Sequence, residues 1–256
     1  MSAVLEFKQQ PITSSIMPFV CIDIETCNAS PEAIELELSL WKAPGNWKPE
    51  TVEAKRVERA ETIREKSALL DSAPIATIGI CNESGESVVF HWLLLDSGER
   101  EIGDSGYFSN RSVDEKEMLI EFRKWAERFT DDTTVIVGFN LGFDLPHLRV
   151  AFTRHGLRIP RLLTPRAGNP IADVMQIYTK YFTSKSDLFI SLGEVSKRLG
   201  IDQDGKQVDG AMVPVMVDNG FADNDPAPHE EIIVYNAIDT LLTMRAFLIM
   251  TGQAGE

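Results

Sequence analysis

Phe19 to Glu25 (FVCIDIE) is a short apolar run, rich in β-branched residues, that ends in two carboxylates. Such a run suits a central strand with both faces covered. Residues two apart on a strand leave the same face, so Asp23 and Glu25 converge near its carboxyl end. Two like charges on an interior strand repel one another and lose hydration, and a bound cation is the simplest remedy. The alternative is an edge strand whose final residues have already reached a loop, and both readings stand on this segment alone.

The rest of the chain supplies elements around that run. Residues 30 to 72 are helix-forming and heavily charged, with Ser30-Pro31 as cap and first-turn pair. Ile75 to Ile80, a turn at Glu83-Ser84-Gly85, and Ser87 to Leu95 read as a hairpin, followed by a polar loop from Asp96 to Asn110. Met118, Leu119, Phe122, Trp125, Ala126 and Phe129 recur at helical spacing. Thr134 to Phe139 is a strand, Asp144 to His155 a helix stopped near Gly156, and Ile171 to Val174 a short strand. Ser191-Leu192-Gly193-Glu194 is a capping-box pattern opening a helix that ends at Gly200. A last long helix runs from about Pro228 to Met250. This order predicts an α/β protein, a mixed β-sheet flanked by helices, with a charged helical insertion at about 30–72 after the first strand. One domain over residues 1–256, insertion included, is the expectation for this length.

Composition excludes some functions. The chain has 39 acidic against 25 basic side chains, net −14. That balance rules out a mainly electrostatic grip on a phosphate backbone, which depends on Lys and Arg displacing counterions. With 43% hydrophobic and 8% aromatic residues the chain is too apolar to be disordered. The N-terminus carries a Glu and a Lys where a signal peptide would have its apolar core, and no apolar run comes near the length of about 18 residues that a membrane span needs. Cys21, Cys27 and Cys81 lack the second pair that a zinc site requires. The expectation is an intracellular, cytoplasmic protein with reduced thiols and no membrane partner.

Two further segments carry chemistry. In Gly138-Phe139-Asn140-Leu141-Gly142-Phe143-Asp144-Leu145-Pro146 a strand ends and a helix begins, with Asp144 near the turn; alone, Asp144 reads as a cap or first-turn residue. In the closing helix Tyr235 and Asp239 are four apart and share a face. Asp239 lies among Ile238, Leu241 and Leu242, where an unpaired charge is expensive. A place at the helix's solvent boundary for Asp239, and in the core for Tyr235, is the alternative.

Together the three segments resemble the DEDD superfamily of 3′–5′ exonucleases in its tyrosine subclass, and within it the proofreading domain of family B DNA polymerases and related stand-alone exonucleases. Asp23-Ile24-Glu25-Thr26 matches the first motif, Asn140, Phe143 and Asp144 the second, and Tyr235 with Asp239 the third. The histidine subclass has a His five residues before the last Asp, where this chain has Val234. The resemblance spans Phe19 to Met250 and implies a ribonuclease H-like fold. It also implies hydrolysis of phosphodiester bonds from a nucleic-acid 3′ end, single-stranded DNA favoured and RNA allowed, with two Mg²⁺ or Mn²⁺ ions. By the same resemblance Asp23, Glu25, Asp144 and Asp239 are the metal ligands, and Tyr235 orients the attacking water. Thr26, Asn140 and Phe143 then contact the substrate. Asp173 is read as structural.

The charge is unevenly distributed. Residues 149 to 206 hold ten basic and five acidic side chains, net +5. Arg149, Arg154, Arg158, Arg161, Arg166, Lys180, Lys185, Lys197 and Arg198 are candidates to line a strand's path, or ordinary solvated helix faces. Trp41 and Trp47 either stack on bases or pack the insertion. Two other classes compete. Asp23-x-Glu25 superficially resembles the nucleophile motif of haloacid dehalogenase-type phosphatases, with Glu where that family has Asp. A non-catalytic binding protein with the nuclease fold is the other.

Overall fold

The computed structural model describes residues 18–95, 98–102, 107–129, 133–165, 170–184, 190–203 and 208–253. The N-terminal segment read against a signal peptide, and Arg166 and Lys185, lie outside them. The first apolar run forms β1 (Phe19–Thr26) in the interior of a seven-stranded sheet. Its alternate residues face two different cores. Val20, Ile22 and Ile24 pack with Met118, Leu119 and Phe122 of α3 (Glu115–Ala126) and with Leu145, Leu148 and Phe152 of α4 (Leu141–Arg154). Phe19 and Cys21 pack on the opposite face with Leu242, Ala246 and Phe247 of α8 (Ala227–Met250). Asp23 and Glu25 continue that second series, so the strand's own alternation turns both carboxylates toward α8.

The hairpin forms as expected from β2 (Ile75–Asn82) and β3 (Ser87–His91). β1 pairs with β2 antiparallel and with β6 (Val135–Gly138) parallel, and β6 pairs with the short parallel β7 (Ile171–Asp173). The segment expected as a loop from Asp96 to Asn110 instead contributes β4 (Gly98–Ile102) and β5 (Tyr107–Arg111). β5 runs parallel to β3 and β4 closes that edge of the sheet. Their sequences, GEREI and YFSNR, are polar because an outermost strand pair carries charge rather than core residues.

After β1 the chain enters the charged insertion, α1 (Pro31–Leu40) and α2 (Pro49–Glu65). Ser30 caps α1, its hydroxyl accepting from the Ala33 N–H at 3.2 Å, and Pro31 takes the first turn. α2 buries only Ile63. The insertion's two legs are tied at their root: the Thr26 hydroxyl donates to the Ala68 carbonyl at 2.8 Å, and that of Ser67 to Asn28 Oδ1 at 2.9 Å.

Two helices were not anticipated, α5 (Val174–Tyr181) and α7 (Val213–Asp223). α6 (Leu192–Arg198) has the expected cap, the Ser191 hydroxyl accepting from Glu194 N–H at 3.2 Å. α4 begins three residues before Asp144 because its cap is remote: Asp173, at the end of β7, accepts the N–H groups of Asn140 and Leu141 at 3.2 and 3.0 Å. Asp173 also caps α5 through the Gln176 N–H at 3.2 Å, so its structural reading holds.

α8 is long and apolar enough to span a bilayer by length and composition, contrary to the expectation that no segment would be. Most of it is buried inside the protein, against the sheet and α7, and a helix apolar on all sides is also what a core helix looks like. It approaches β2 at Gly79, where an added Cβ would stand 2.5 Å from both Asn236 Oδ1 and Thr240 Oγ1. Gly79→Ala must therefore push α8 off the sheet or break its side-chain packing. The expected loss of stability is about 1–3 kcal/mol, read from the midpoint of urea unfolding; an unchanged midpoint would show that the helix yields without cost.

Candidate active site

β6 ends where β1 does not. Their last paired residues are Cys21 and Val137, and β1 runs on to Thr26. The exposed edge of that overhang needs partners for its backbone groups, and Asp144 supplies one: its Oδ1 accepts the Ile24 N–H at 3.1 Å. The second-motif carboxylate is thereby seated between Asp23 and Glu25 along the strand, although it arrives on a helix that follows β6. Asp144 is 3% exposed. Burial pushes its carboxyl up to about 8, against the opposing pull of the Ile24 hydrogen bond.

The third segment arrives from the other face. Asn236 of α8, fully buried, donates through Nδ2 to Asp23 Oδ2 at 2.7 Å. Tyr235 and Asp239 flank it on the helix, both buried and hydrogen-bonded to one another. The Tyr235 hydroxyl also lies close to Gly210, where a Cβ would come within 3.0 Å. Asp23 is half-buried, and burial, then the charges of Glu25, Asp144 and Asp239, raise its carboxyl well above the usual range. Burial and the charges of Glu25, Asp239 and Asp23 likewise hold the Tyr235 phenol above its ordinary value. The five motif residues therefore form one electrostatic cluster at the carboxyl end of β1.

Among the described residues no three Asp, Glu, His or Cys side chains are gathered closely enough to close around one cation. The fit to a divalent ion lies in donor type and charge. Four hard oxygen donors carry mutual repulsion that a cation would relieve.

The expected substrate contacts divide. Thr26 is buried with its hydroxyl on Ala68 and is not presented to the site. Asn140 sits in the left-handed region, φ 63°, and its side chain makes no cap hydrogen bond to α4. Phe143 is half-buried and stacks on His147 at 4.1 Å between centroids. Among the candidate groove cations, Arg149 donates to the Leu163 carbonyl, Arg154 pairs with Glu115 at 2.7 Å and Arg198 with Glu194. The residue missed by sequence reasoning is Asn236. Its signal was present, a polar side chain in the apolar stretch IIVYNAID, one turn before Asp239 and opposite a glycine on the sheet.

A central mixed sheet whose interior strand ends in carboxylates, met by a helix on each face, defines a ribonuclease H-like protein. The sequence matches the RNase H superfamily model over residues 74–248, and the chain belongs to that superfamily. The structure is similar to the family B DNA polymerase of the hyperthermophilic archaeon Pyrobaculum calidifontis, with 18% identity and a TM-score of 0.52. That likeness covers 91% of this chain and 25% of the polymerase, so the chain spans about a quarter of its length. No curated protein matches the sequence.

The raised Asp144 carboxyl has a definite consequence for stability. Between about pH 4 and pH 8 the folded chain retains a proton there that the unfolded chain has released. This contribution therefore falls as pH rises, by up to about 1.4 kcal/mol per pH unit. Asn at this position keeps an acceptor for the Ile24 N–H and cannot ionise. Asp144→Asn is expected to gain stability over wild type at pH 8 relative to pH 5 in urea unfolding with chelator; equal differences at the two pH values would refute the shift.

Proposed function

We propose that residues 1–256 act as one domain, a metal-dependent 3′–5′ exonuclease favouring single-stranded DNA. The observation that carries the reading is the gathering of Asp23, Glu25, Asp144, Tyr235 and Asp239 at one strand end of an RNase H superfamily fold. Asp23, Glu25, Asp144 and Asp239 would hold Mg²⁺ or Mn²⁺, whose preference is for hard oxygen ligands. When bound, such ions acidify water and neutralise charge on the phosphate under attack. In the hydrolysis a water oxygen bonds to phosphorus, the bond to the 3′ oxygen breaks, and that oxygen takes a proton.

The chain's own groups have separable parts. Asn236 holds Asp23 through one of its carboxylate oxygens, which would fix its rotamer and leave the other oxygen for an ion. Tyr235, held protonated by burial and then by its acidic neighbours, is unsuited to act as a base. Its hydroxyl donates a hydrogen bond to Asp239 and would keep lone pairs to accept one from the attacking water, orienting that water. Asn140, whose side chain makes no cap hydrogen bond, and Phe143, on the adjacent turn, would position the terminal nucleotide.

The test is a 5′-labelled single strand incubated with Mg²⁺ or Mn²⁺, and with chelator. A ladder shortening from the 3′ end is expected with metal only, reduced about 10²-fold or more in Asp23→Ala and up to about 10²-fold in Tyr235→Phe. No shortening, or equal shortening by Asp23→Ala, would overturn the reading, and hydrolysis of p-nitrophenyl phosphate alone would move it to a phosphatase.

Ion binding is read independently of turnover. Mn²⁺ at about a hundred times its dissociation constant should stabilise the wild type by about 2.7 kcal/mol in thermal unfolding. Asp23→Ala and Asp239→Asn should lose most of that gain, whereas an identical gain in all three proteins would separate the ion from these carboxylates.

A further inference from the structure

The insertion forms an arm that leaves the sheet after β1 and returns to it before β2, with its root pinned beside the candidate site by the Thr26–Ala68 and Ser67–Asn28 bonds. Its tip is the turn between α1 and α2. There Trp41 and Trp47 stand 6.4 Å apart between ring centroids, tilted by 54°. Trp47 is 37% exposed and Leu40 65%, so the tip is not packed against the body of the protein. Each Trp is followed by a lysine, Lys42 and Lys48, both exposed. Among the described residues neither lysine is in an ion pair, whereas lower on the arm Arg59 faces Glu37 at 3.8 Å and Arg64 faces Glu35 at 3.9 Å. The stretch Leu38 to Pro49 holds two lysines and no acid, in a chain of net charge −14.

An aromatic pair, Trp41 half-buried and Trp47 exposed, with unpaired cations at its sides has the chemistry of a single-strand stacking platform: faces for bases, point charges for phosphates. The complementarity is local and runs against the net charge of the whole molecule, −14. We propose that the arm tip binds the single-stranded portion of the nucleic acid upstream of its 3′ end, bases stacking on Trp41 and Trp47 and phosphates meeting Lys42 and Lys48. This rests on the exonuclease reading for the location of the 3′ end. The ten residues of α1 rise about 15 Å, so at about 3.4 Å per stacked nucleotide the tip meets a strand roughly four or five nucleotides behind its terminus.

The test compares oligothymidylates of about 3 and about 15 nucleotides, lengths below and above that reach. Binding of labelled strands is measured in chelator by anisotropy, and 3′ shortening is measured with Mg²⁺. The long strand should quench wild-type tryptophan fluorescence. Trp47→Ala, Trp41→Ala and the double variant Lys42→Glu/Lys48→Glu should each weaken long-strand binding by about 5-fold to 10²-fold. The short strand should bind and shorten alike in all. The lysine variant keeps both indoles, so damage to the arm's packing cannot account for its loss. Unchanged long-strand affinity in all the variants overturns the proposal. So does a change of oligomeric state in Trp47→Ala with strand affinity intact, which would give the tip to a protein contact. Normal 3′ shortening without any variant effect removes the arm and keeps the exonuclease, whereas quenching and variant effects without shortening remove the exonuclease and keep the arm.

Discussion

The close approach of α8 to the β1–β2 pair is the contact on which the site depends. The middle of this 24-residue helix is mostly buried, so the polar side chains there have little access to solvent. Asn236, Asp239, Thr240 and Thr243 are all buried on it, and each must be answered from within the protein. Gly79 opens the space for Asn236 and Thr240, and it is the residue paired in register with Asp23. One missing Cβ on the neighbouring strand thus lets the helix amide reach the strand carboxylate. The same approach brings Tyr235 and Asp239 into electrostatic contact with Asp23 and Glu25, so packing and site geometry are set by one contact.

A second constraint comes from the stagger of the strands. Because β6 stops short, the last residues of β1 have a backbone edge without a strand beside it. Asp144 takes the Ile24 N–H there, while Asp173 at the end of β7 holds the first N–H groups of α4. Two acids therefore divide the labour at the strand ends: one fixes the helix, the other is fixed by the strand. A change at Asp173 would act on Asp144 by moving the helix that carries it.

Much of this was legible in the sequence because it rests on local patterns. The alternation in FVCIDIE placed both carboxylates on one face, and the four-residue spacing of Tyr235 and Asp239 placed them together on α8. Ser30 and Ser191 marked their helices through capping chemistry that needs only three or four residues to recognise. What was misread depends on distant partners. The polar strand β5 is defined by pairing with β3, and β4 by pairing with β5, not by their own composition. α4 begins before Asp144 because its cap lies 32 residues away on β7. Thr26, next to the first motif, turned inward because the insertion's return leg offers it the Ala68 carbonyl. Asn236 was visible as a polar interruption, but its partner Asp23 lies 213 residues earlier.

Asp23 and Asp144 are both held above the ordinary carboxylate range, chiefly by burial, and Asp23 is raised further by its neighbours. Drawing the four carboxylates closer together without a counter-charge would add to that cost. The scaffold supplies rigid anchors for part of the set, Asn236 behind Asp23 and the Ile24 N–H on Asp144, and leaves Glu25 half-buried at the strand end. Positive charge entering the cluster would relieve the repulsion and let the carboxylates close on it, which couples ion binding to the stability of the very contact between α8 and β1 that assembles the site. On the proposed exonuclease reading, the excess of negative charge elsewhere would have no part in holding substrate, and a polyanion would be admitted only where the chain is locally neutralised.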